Sequence, residues 1–305
     1  GIYPPHSPYI APRELFDYYY DRVTIPSVEE AQPESVTRLR RVRGFLDPPL
    51  PEDRVRAARA AYYGLCEYTD MIVGRVLDTL DRAGLSDDTI VIYCSDHGDM
   101  AGEHGIFGKS CYYEGAVAVP LIVRAPGLVP MRSVTKSICS LLDIGPTMIE
   151  ATGAPEMEAV DGASLLPILT DDGSAADTAF PRVCYAELLN IHRSNVDYPS
   201  RMIRAGKWKL VRYADEEGLP PVLYDLETDP DERSDRADDP SVSDVGYELL
   251  DRLNHDWDPV SNRRIGSMLS RDVGVLSRWA KQTVPAAPYQ LAMPDPHIED
   301  DVELV

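Results

Sequence analysis

Apolar residues follow two rhythms along this chain, a mixed helix-and-strand pattern up to about residue 175 and, after it, a series of short strands followed by one amphipathic helix. From Pro51, apolar or small residues recur at Val55, Ala58, Tyr62, Leu65, Tyr68, Met71, Ile72, Val76 and Leu80, the three-and-four spacing of a helix face. Glu52 and Asp53 suit the positive end of that helix and Gly84 stops it. Thr89 to Cys94 is a short β-branched run, the pattern of a core strand in a mostly parallel sheet. Val117 to Val123 reads as a second strand, with Pro120 favouring an edge or a strand start. Ser140 to Thr152 is predicted helical through Leu141, Leu142, Ile144, Met148 and Ile149, with Gly153 as its stop. Helix, strand, loop, strand and helix in that order predict an α/β layered domain.

Past residue 175, Arg182 to Leu188, Arg201 to Ala205, Lys207 to Tyr213 and Pro221 to Leu226 are short strands between turn signals, so an antiparallel sheet is predicted. Ser243 to Trp257, with Val245, Leu249, Leu250 and Leu253 on one face, is the helix to cover it. Residues 1 to 51, rich in Pro and Tyr, read as irregular. The tail from Lys281 has little to bury and is expected to lie extended on the surface or on a neighbouring subunit. The division expected is a catalytic part over 1–175, a small antiparallel subdomain over 176–260 and an extended tail over 261–305, in a homo-oligomer.

Charge narrows the partners. A formal charge of -21 argues against nucleic acid and anionic membrane surfaces, both of which need basic patches. It leaves room for a small anionic substrate, which responds to a local field. Cys66, Cys94, Cys111, Cys139 and Cys184 are odd in number and show no CxxC spacing, as expected of reduced thiols in a cytoplasmic protein. No run of about 18 apolar residues occurs, so no membrane span is expected. The chain opens at Gly1, which leaves open a signal peptide on preceding sequence.

The chemistry concentrates in residues 95 to 109, at the carboxyl end of the first strand, where open α/β sheets bind ligands. Asp96 and His97 can both reach one divalent ion, through carboxylate oxygen and imidazole nitrogen. The alternative is that Asp96 caps a turn and His97 is an ordinary surface histidine. Two donors do not make a site, and Asp99 and Glu103 lie nearby at loop spacings. Gly98, Gly102, Gly105 and Gly108 would let backbone approach a ligand, and Lys109 at the loop's end can place an ammonium on a phosphate or sulfate oxygen. A solvated lysine is its alternative. His104 can orient a neighbour, donate to an anion or do neither. His6, between prolines, is suited to hold a proton near a substrate.

In order and spacing, Ser95-Asp96-His97-Gly98, Gly102-Glu103-His104-Gly105, Lys109, Tyr113-Glu114-Gly115 and Val119-Pro120-Leu121-Ile122 resemble the second metal-binding motif of the formylglycine-dependent (type I) sulfatases of the alkaline phosphatase superfamily. Pro5-His6-Ser7-Pro8-Tyr9 is similar to that family's His-x-Pro segment, Tyr68 to Leu80 to its long helix, and Leu141 to Thr147 to the helix after its strand. Asp161 to Leu165, Gly206 to Leu210 and Leu223 to Pro230 resemble its carboxyl-terminal sheet, so the likeness runs over roughly residues 1 to 240. It implies part of an alkaline phosphatase-like mixed sheet flanked by helices, followed by a smaller antiparallel sheet with a covering helix. It also implies Asp96 and His97 as ligands of one divalent metal ion. Lys109 and His6 would contact the sulfate or phosphate group, His6 would help protonate the leaving group, and His104 would be a pocket residue.

Four departures from the family pattern shape the expectation. No cysteine or serine here stands in a Cys/Ser-x-Pro-x-Arg motif, the source of the formylglycine nucleophile, and the paired amino-terminal Asp ligands are missing too. The nucleophile and further ligands are therefore expected from preceding sequence or a second chain, with a non-catalytic sulfatase-like domain used for subunit contacts as the contrary reading. His97 stands where calcium-dependent relatives carry Asn, so manganese joins calcium as the expected ion, with magnesium, zinc or iron as alternatives. Ala118 stands where an Arg often precedes the Val-Pro strand. His97 is similar to choline-sulfatase-like and phosphonate monoester hydrolase-like members, so hydrolysis of a small sulfate monoester is expected, with a phosphonate monoester or phosphodiester as the alternative substrate.

Overall fold

A computed structural model describes residues 1–283 apart from 30–31, 43–44, 46–48, 132–133, 157, 171–181, 190–197 and 215–217. In chain order its main elements are α1 (Arg13–Tyr20), α2 (Glu34–Val42), α3 (Glu52–Arg82), β1 (Val91–Cys94), α4 (Glu114–Val117), β2 (Leu121–Arg124), α5 (Ile144–Thr152) and α6 (Leu166–Leu169). After these come β3 (Val183–Leu188), β4 (Ser200–Ala205), β5 (Trp208–Tyr213), β6 (Val222–Asp225), α7 (Ser243–Asn254) and α8 (Pro259–Thr283).

The long helix predicted after Pro51 is α3, 31 residues with Glu52 and Asp53 in its first turn and Arg82 in its last, both favourable to the helix dipole. It buries Arg59, Ala60, Ala61, Gly64, Leu65 and Thr69. Gly64 is there for space: a Cβ on it would stand 3.1 Å from the Ala11 Cβ, so α3 packs closely against the chain entering α1. Farther along α3, Met71 and Val76 remain 46% and 61% exposed.

β1 pairs antiparallel with β2, Val91 opposite Arg124 and Cys94 opposite Leu121. This corrects two expectations. The run up to Cys94 sits in an antiparallel pair among the described residues, because a β-branched run reports strand conformation and carries no information on partner direction. The strand expected over Val117 to Val123 begins only at Leu121, since Glu114–Val117 closes into a helical turn before Pro120.

The second sheet follows the sequence closely, with the order β3-β4-β5-β6 and every neighbour antiparallel. Its two faces feed two cores. Ile203, Leu210 and Leu223 meet Leu249, Leu253 and Trp257 under α7, as the pattern predicts. Met202, Val211, Val222 and Tyr224 on the other face meet Val36, Leu39, Met100, Ile106, Tyr112 and Tyr113. The carboxyl-terminal sheet thus shares a core with the loop that follows β1.

The expected helix over Ser140 to Thr152 opens as a short 3₁₀ turn, Leu141–Asp143, and continues as α5, ending at Gly153 in the left-handed region (φ 66°). Ser140 and Asp143 cap that start reciprocally, the Ser140 hydroxyl accepting from Leu142 N and the Asp143 carboxylate from Ser140 N.

Two segments expected to be irregular are helical. Residues 1 to 51 contain α1 and α2, and α1 buries none of its residues, so it carried no core periodicity to read. The stretch from residue 261, expected as an extended tail, lies in α8 as far as Thr283, with Ile265, Met268, Leu269, Val275 and Leu276 at helical spacing. The tail beyond it lies outside the described residues.

Candidate active site

The loop leaving β1 is shaped by its own polar groups. Ser95 Oγ donates to His97 O at 2.8 Å, and Asp99 Oδ1 accepts from Ala101 N and Gly108 N, both at 3.1 Å. Met100 N donates to Gly108 O at 3.0 Å and Gly102 N to Ile106 O at 2.8 Å, while Met100 and Ile106 are almost fully buried. Ala101 (φ 48°) and His104 (φ 53°) occupy the left-handed region that L-residues avoid, a strain kept only where surrounding contacts fix it. Gly98 N donates to Ala116 O at 2.8 Å, and a Cβ at Gly98 would stand 2.1 Å from Gly115 O, so no larger residue fits.

This loop and the segment around His6 bring together four of the side chains singled out in the sequence. Lys109 Nζ lies 2.6 Å from His6 Nε2, and His6 Nδ1 lies 2.6 Å from Ser7 O. A carbonyl oxygen only accepts, so the imidazole proton is on Nδ1 and Nε2 offers its lone pair to the Lys109 ammonium. The His97 ring stands edge-on to that of His6, with centroids 5.7 Å apart. His97 Nδ1 is 2.8 Å from Gly98 O, which assigns its proton by the same rule and leaves Nε2 as a lone pair.

Asp96 and His97 fit a shared divalent ion on two observations. Asp96 Oδ2 is 3.7 Å from His97 Nε2, the span of two ligands each about 2.0 to 2.4 Å from one ion. A ligating histidine whose other nitrogen donates to a backbone carbonyl is the usual way of fixing the ring and its tautomer. The Asp96 side chain is 86% exposed. Among the described residues no group of three or more His, Cys, Asp and Glu side chains is arranged to hold a metal, so this chain offers the pair alone.

Asp99 and Glu103, considered from sequence as further donors, are committed elsewhere. Asp99 takes Tyr9 OH at 2.6 Å on Oδ2 besides its two backbone donors, and Glu103 Oε1 takes Arg59 Nη1 at 2.6 Å. Tyr9 and Arg59 are the residues that the sequence reading missed. Arg59 carried a signal: it lies four residues after Val55 on the α3 stripe, and a guanidinium on an apolar stripe needs a buried partner.

His104, a pocket residue by the resemblance, has both ring nitrogens facing groups of this chain. Its ring stacks on Tyr113 at 3.8 Å and 2°, Nε2 donates to Asp231 O at 3.0 Å, and Nδ1 faces Glu29 Oε2 at 3.4 Å. Burial holds its pKa below the ordinary imidazole value, outweighing the opposite pull of Glu29. Both nitrogens face protein groups, and the ring ties the loop to the carboxyl-terminal region.

A second tie lies just beyond Lys109. Lys209, fully buried on β5, reaches Tyr112 O at 2.8 Å, Glu114 Oε1 at 2.5 Å and Glu232 Oε1 at 2.7 Å. Glu232 Oε2 in turn accepts Glu114 N at 2.6 Å. Burial raises the Glu232 pKa, with the Lys209 ammonium working against that rise.

Residues 4–154 match the family model described as Sulfatase, and residues 102–258 match that of N-sulphoglucosamine sulphohydrolase, C-terminal. A choline-sulfatase of Rhizobium meliloti is 35% identical over 246 residues, 77% of this chain and 45% of that protein. Arylsulfatase K of Rattus norvegicus is 40% identical over 204 residues, 66% of this chain and 35% of that protein. Among solved structures, a phosphonate monoester hydrolase from Silicibacter pomeroyi superposes with a TM-score of 0.69 at 26% identity, over 82% of this chain and 53% of that one. The chain therefore spans about half, or less, of the length of the proteins it matches.

Proposed function

The chain belongs to the sulfatase family, with the alkaline phosphatase-like fold, and from that membership we propose that the protein hydrolyses a sulfate monoester, water converting the ester to an alcohol and sulfate. The observation that carries the reading is the meeting of Lys109 and His6 at 2.6 Å beside the Asp96 and His97 pair. In the proposed complete site Asp96 and His97 hold one divalent ion, calcium or manganese, which when bound neutralises charge on the ester oxygens. The formylglycine nucleophile and the remaining metal ligands come from sequence outside this chain.

Each residue then has a part. The Lys109 ammonium gives one N–H to His6 and has two left for ester oxygens, stabilising charge that grows as the S–O bond breaks. His6 Nε2, whose lone pair faces Lys109, is the proton site proposed to serve the leaving oxygen. Once it takes a proton from solvent it can no longer accept from Lys109, and the ammonium is released to the ester while Nε2–H gives that proton to the departing oxygen, returning His6 to its neutral form. Ser7 O keeps the ring oriented through both states.

A phosphonate monoester is the second substrate reading, supported by the likeness to the Silicibacter pomeroyi hydrolase. The test is a comparison of kcat/KM on an aryl sulfate and an aryl phosphonate monoester with the metal-loaded full-length protein. A preference for the sulfate upholds the first reading, a preference for the phosphonate selects the second, and turnover of neither defeats both.

A further inference from the structure

We propose that Tyr9 and Asp99 are positioning residues that set how His6 and Lys109 face the substrate, a role that rests on the ester-hydrolase reading above. The Tyr9 hydroxyl donates to Asp99 Oδ2 at 2.6 Å, and the other oxygen of that carboxylate accepts the N–H of Gly108, the residue before Lys109. One carboxylate thereby ties the segment carrying His6 to the loop carrying Lys109. The two side chains then close the circuit with their own 2.6 Å contact. Tyr9 is three residues from His6 and Gly108 is next to Lys109, so the tie lies close to both working groups.

The tie is stiff at each end. Tyr9 packs edge-on against Tyr62 of α3, centroids 5.7 Å apart, and is half-buried. Asp99 Oδ1 also holds Ala101 N at 3.1 Å, where the chain turns into the left-handed region. Burial first, and Asp99 second, raise the Tyr9 pKa far above the ordinary phenol value, so the hydroxyl stays a donor at any working pH. Asp99, three residues beyond Asp96, has both oxygens taken by donors of this chain, which suits a brace better than a metal ligand. A displacement of about 1 Å in a reacting group can lower a rate by about 10²-fold, so a brace at this position acts on turnover.

The test uses the full-length, metal-loaded protein with Tyr9→Phe, which removes one oxygen, and Asp99→Asn as a second variant should the first fail to fold. Turnover of an aryl sulfate is measured alongside the ¹⁵N resonances of the His6 imidazole, which need no turnover. Tyr9→Phe is expected to lower kcat by roughly 10- to 100-fold with a much smaller change in KM, and to shift the His6 Nε2 resonance as its contact with Lys109 loosens. Measured well below the melting temperature, a purely structural role would leave both unchanged. Wild-type kcat with an unmoved His6 resonance overturns the proposal. Should Lys109→Ala keep full turnover, the ester-hydrolase roles fall instead. The His6 resonance in Tyr9→Phe then decides the brace alone, upholding it if shifted and overturning it if unmoved.

Discussion

His6 and Lys109 stand on one side of the site and Asp96 and His97 on the other, and this chain supports the two pairs very differently. On the cationic side each group is held by others. His6 is set by Ser7 O and Lys109, the Lys109 loop by Asp99 and Tyr9, and the residues just beyond it by Lys209, which is fully buried. On the metal side His97 is oriented by Gly98 O, but the Asp96 carboxylate is 86% exposed and, among the described residues, meets only its neighbour. The difference follows from where each pair sits. The loop carrying Lys109 is anchored on both sides of it, through Ile106 and Cys111, in the core shared with the carboxyl-terminal sheet. The metal pair lies at the end of β1, on the small sheet where Cys94 is exposed and Ile122 is 62% exposed. A site can thus be rigid in one half and still depend on further ligands in the other.

The largest effect is expected from removing the foundation of the cationic side. Lys209→Met leaves the buried Glu232 carboxylate, with the half-exposed Glu114 beside it, without its cation, and should destabilise the fold by about 3 to 5 kcal/mol. Chemical denaturation would show it, and a loss below about 1 kcal/mol would mean that the sheet does not support the loop through this cluster. Asp96→Asn should do the reverse, leaving the denaturation midpoint unchanged while weakening divalent-metal affinity by at least the roughly 10- to 100-fold that loss of a supporting contact brings. Calorimetric metal titration of the full-length protein reads that change, and equal affinity would remove Asp96 from the ligand set.

The smallest effect concerns His104. Its folded pKa lies below the ordinary value, so the unfolded chain takes up its proton first as pH falls. Stability linked to this group is therefore present above the ordinary imidazole pKa of about 6.5 and is lost as pH drops toward the lowered folded value. Denaturation midpoints over this window should fall less steeply in His104→Gln than in the wild type. Parallel profiles would mean that His104 does not titrate differently on folding.

Much of the site was legible because its chemistry is local. Asp96 and His97 are adjacent, Lys109 closes a glycine-rich loop, and His6 sits between prolines, so residue type and spacing marked them as candidates and the family resemblance supplied their roles. The four-stranded sheet and its helix were legible because alternation and three-and-four spacing map directly onto buried faces. What escaped was long-range or unpatterned. Tyr9 and Asp99 are 90 residues apart, and nothing near either one announces the other. His104 matched a motif, yet its partners Glu29, Tyr113 and Asp231 come from three separate stretches, and only their packing shows that its nitrogens are already engaged. The direction of the β1 pairing escaped for the same reason.

The most direct measurement of the site's chemistry is steady-state hydrolysis of an aryl sulfate by the metal-loaded full-length protein, wild type against Lys109→Ala, with denaturation midpoints recorded for both. The expected result is a fall in kcat of about 10²- to 10³-fold at an unchanged midpoint, the cost of losing one charge-stabilising donor. Wild-type kcat in a folded Lys109→Ala protein would contradict the role given to the Lys109 and His6 pair.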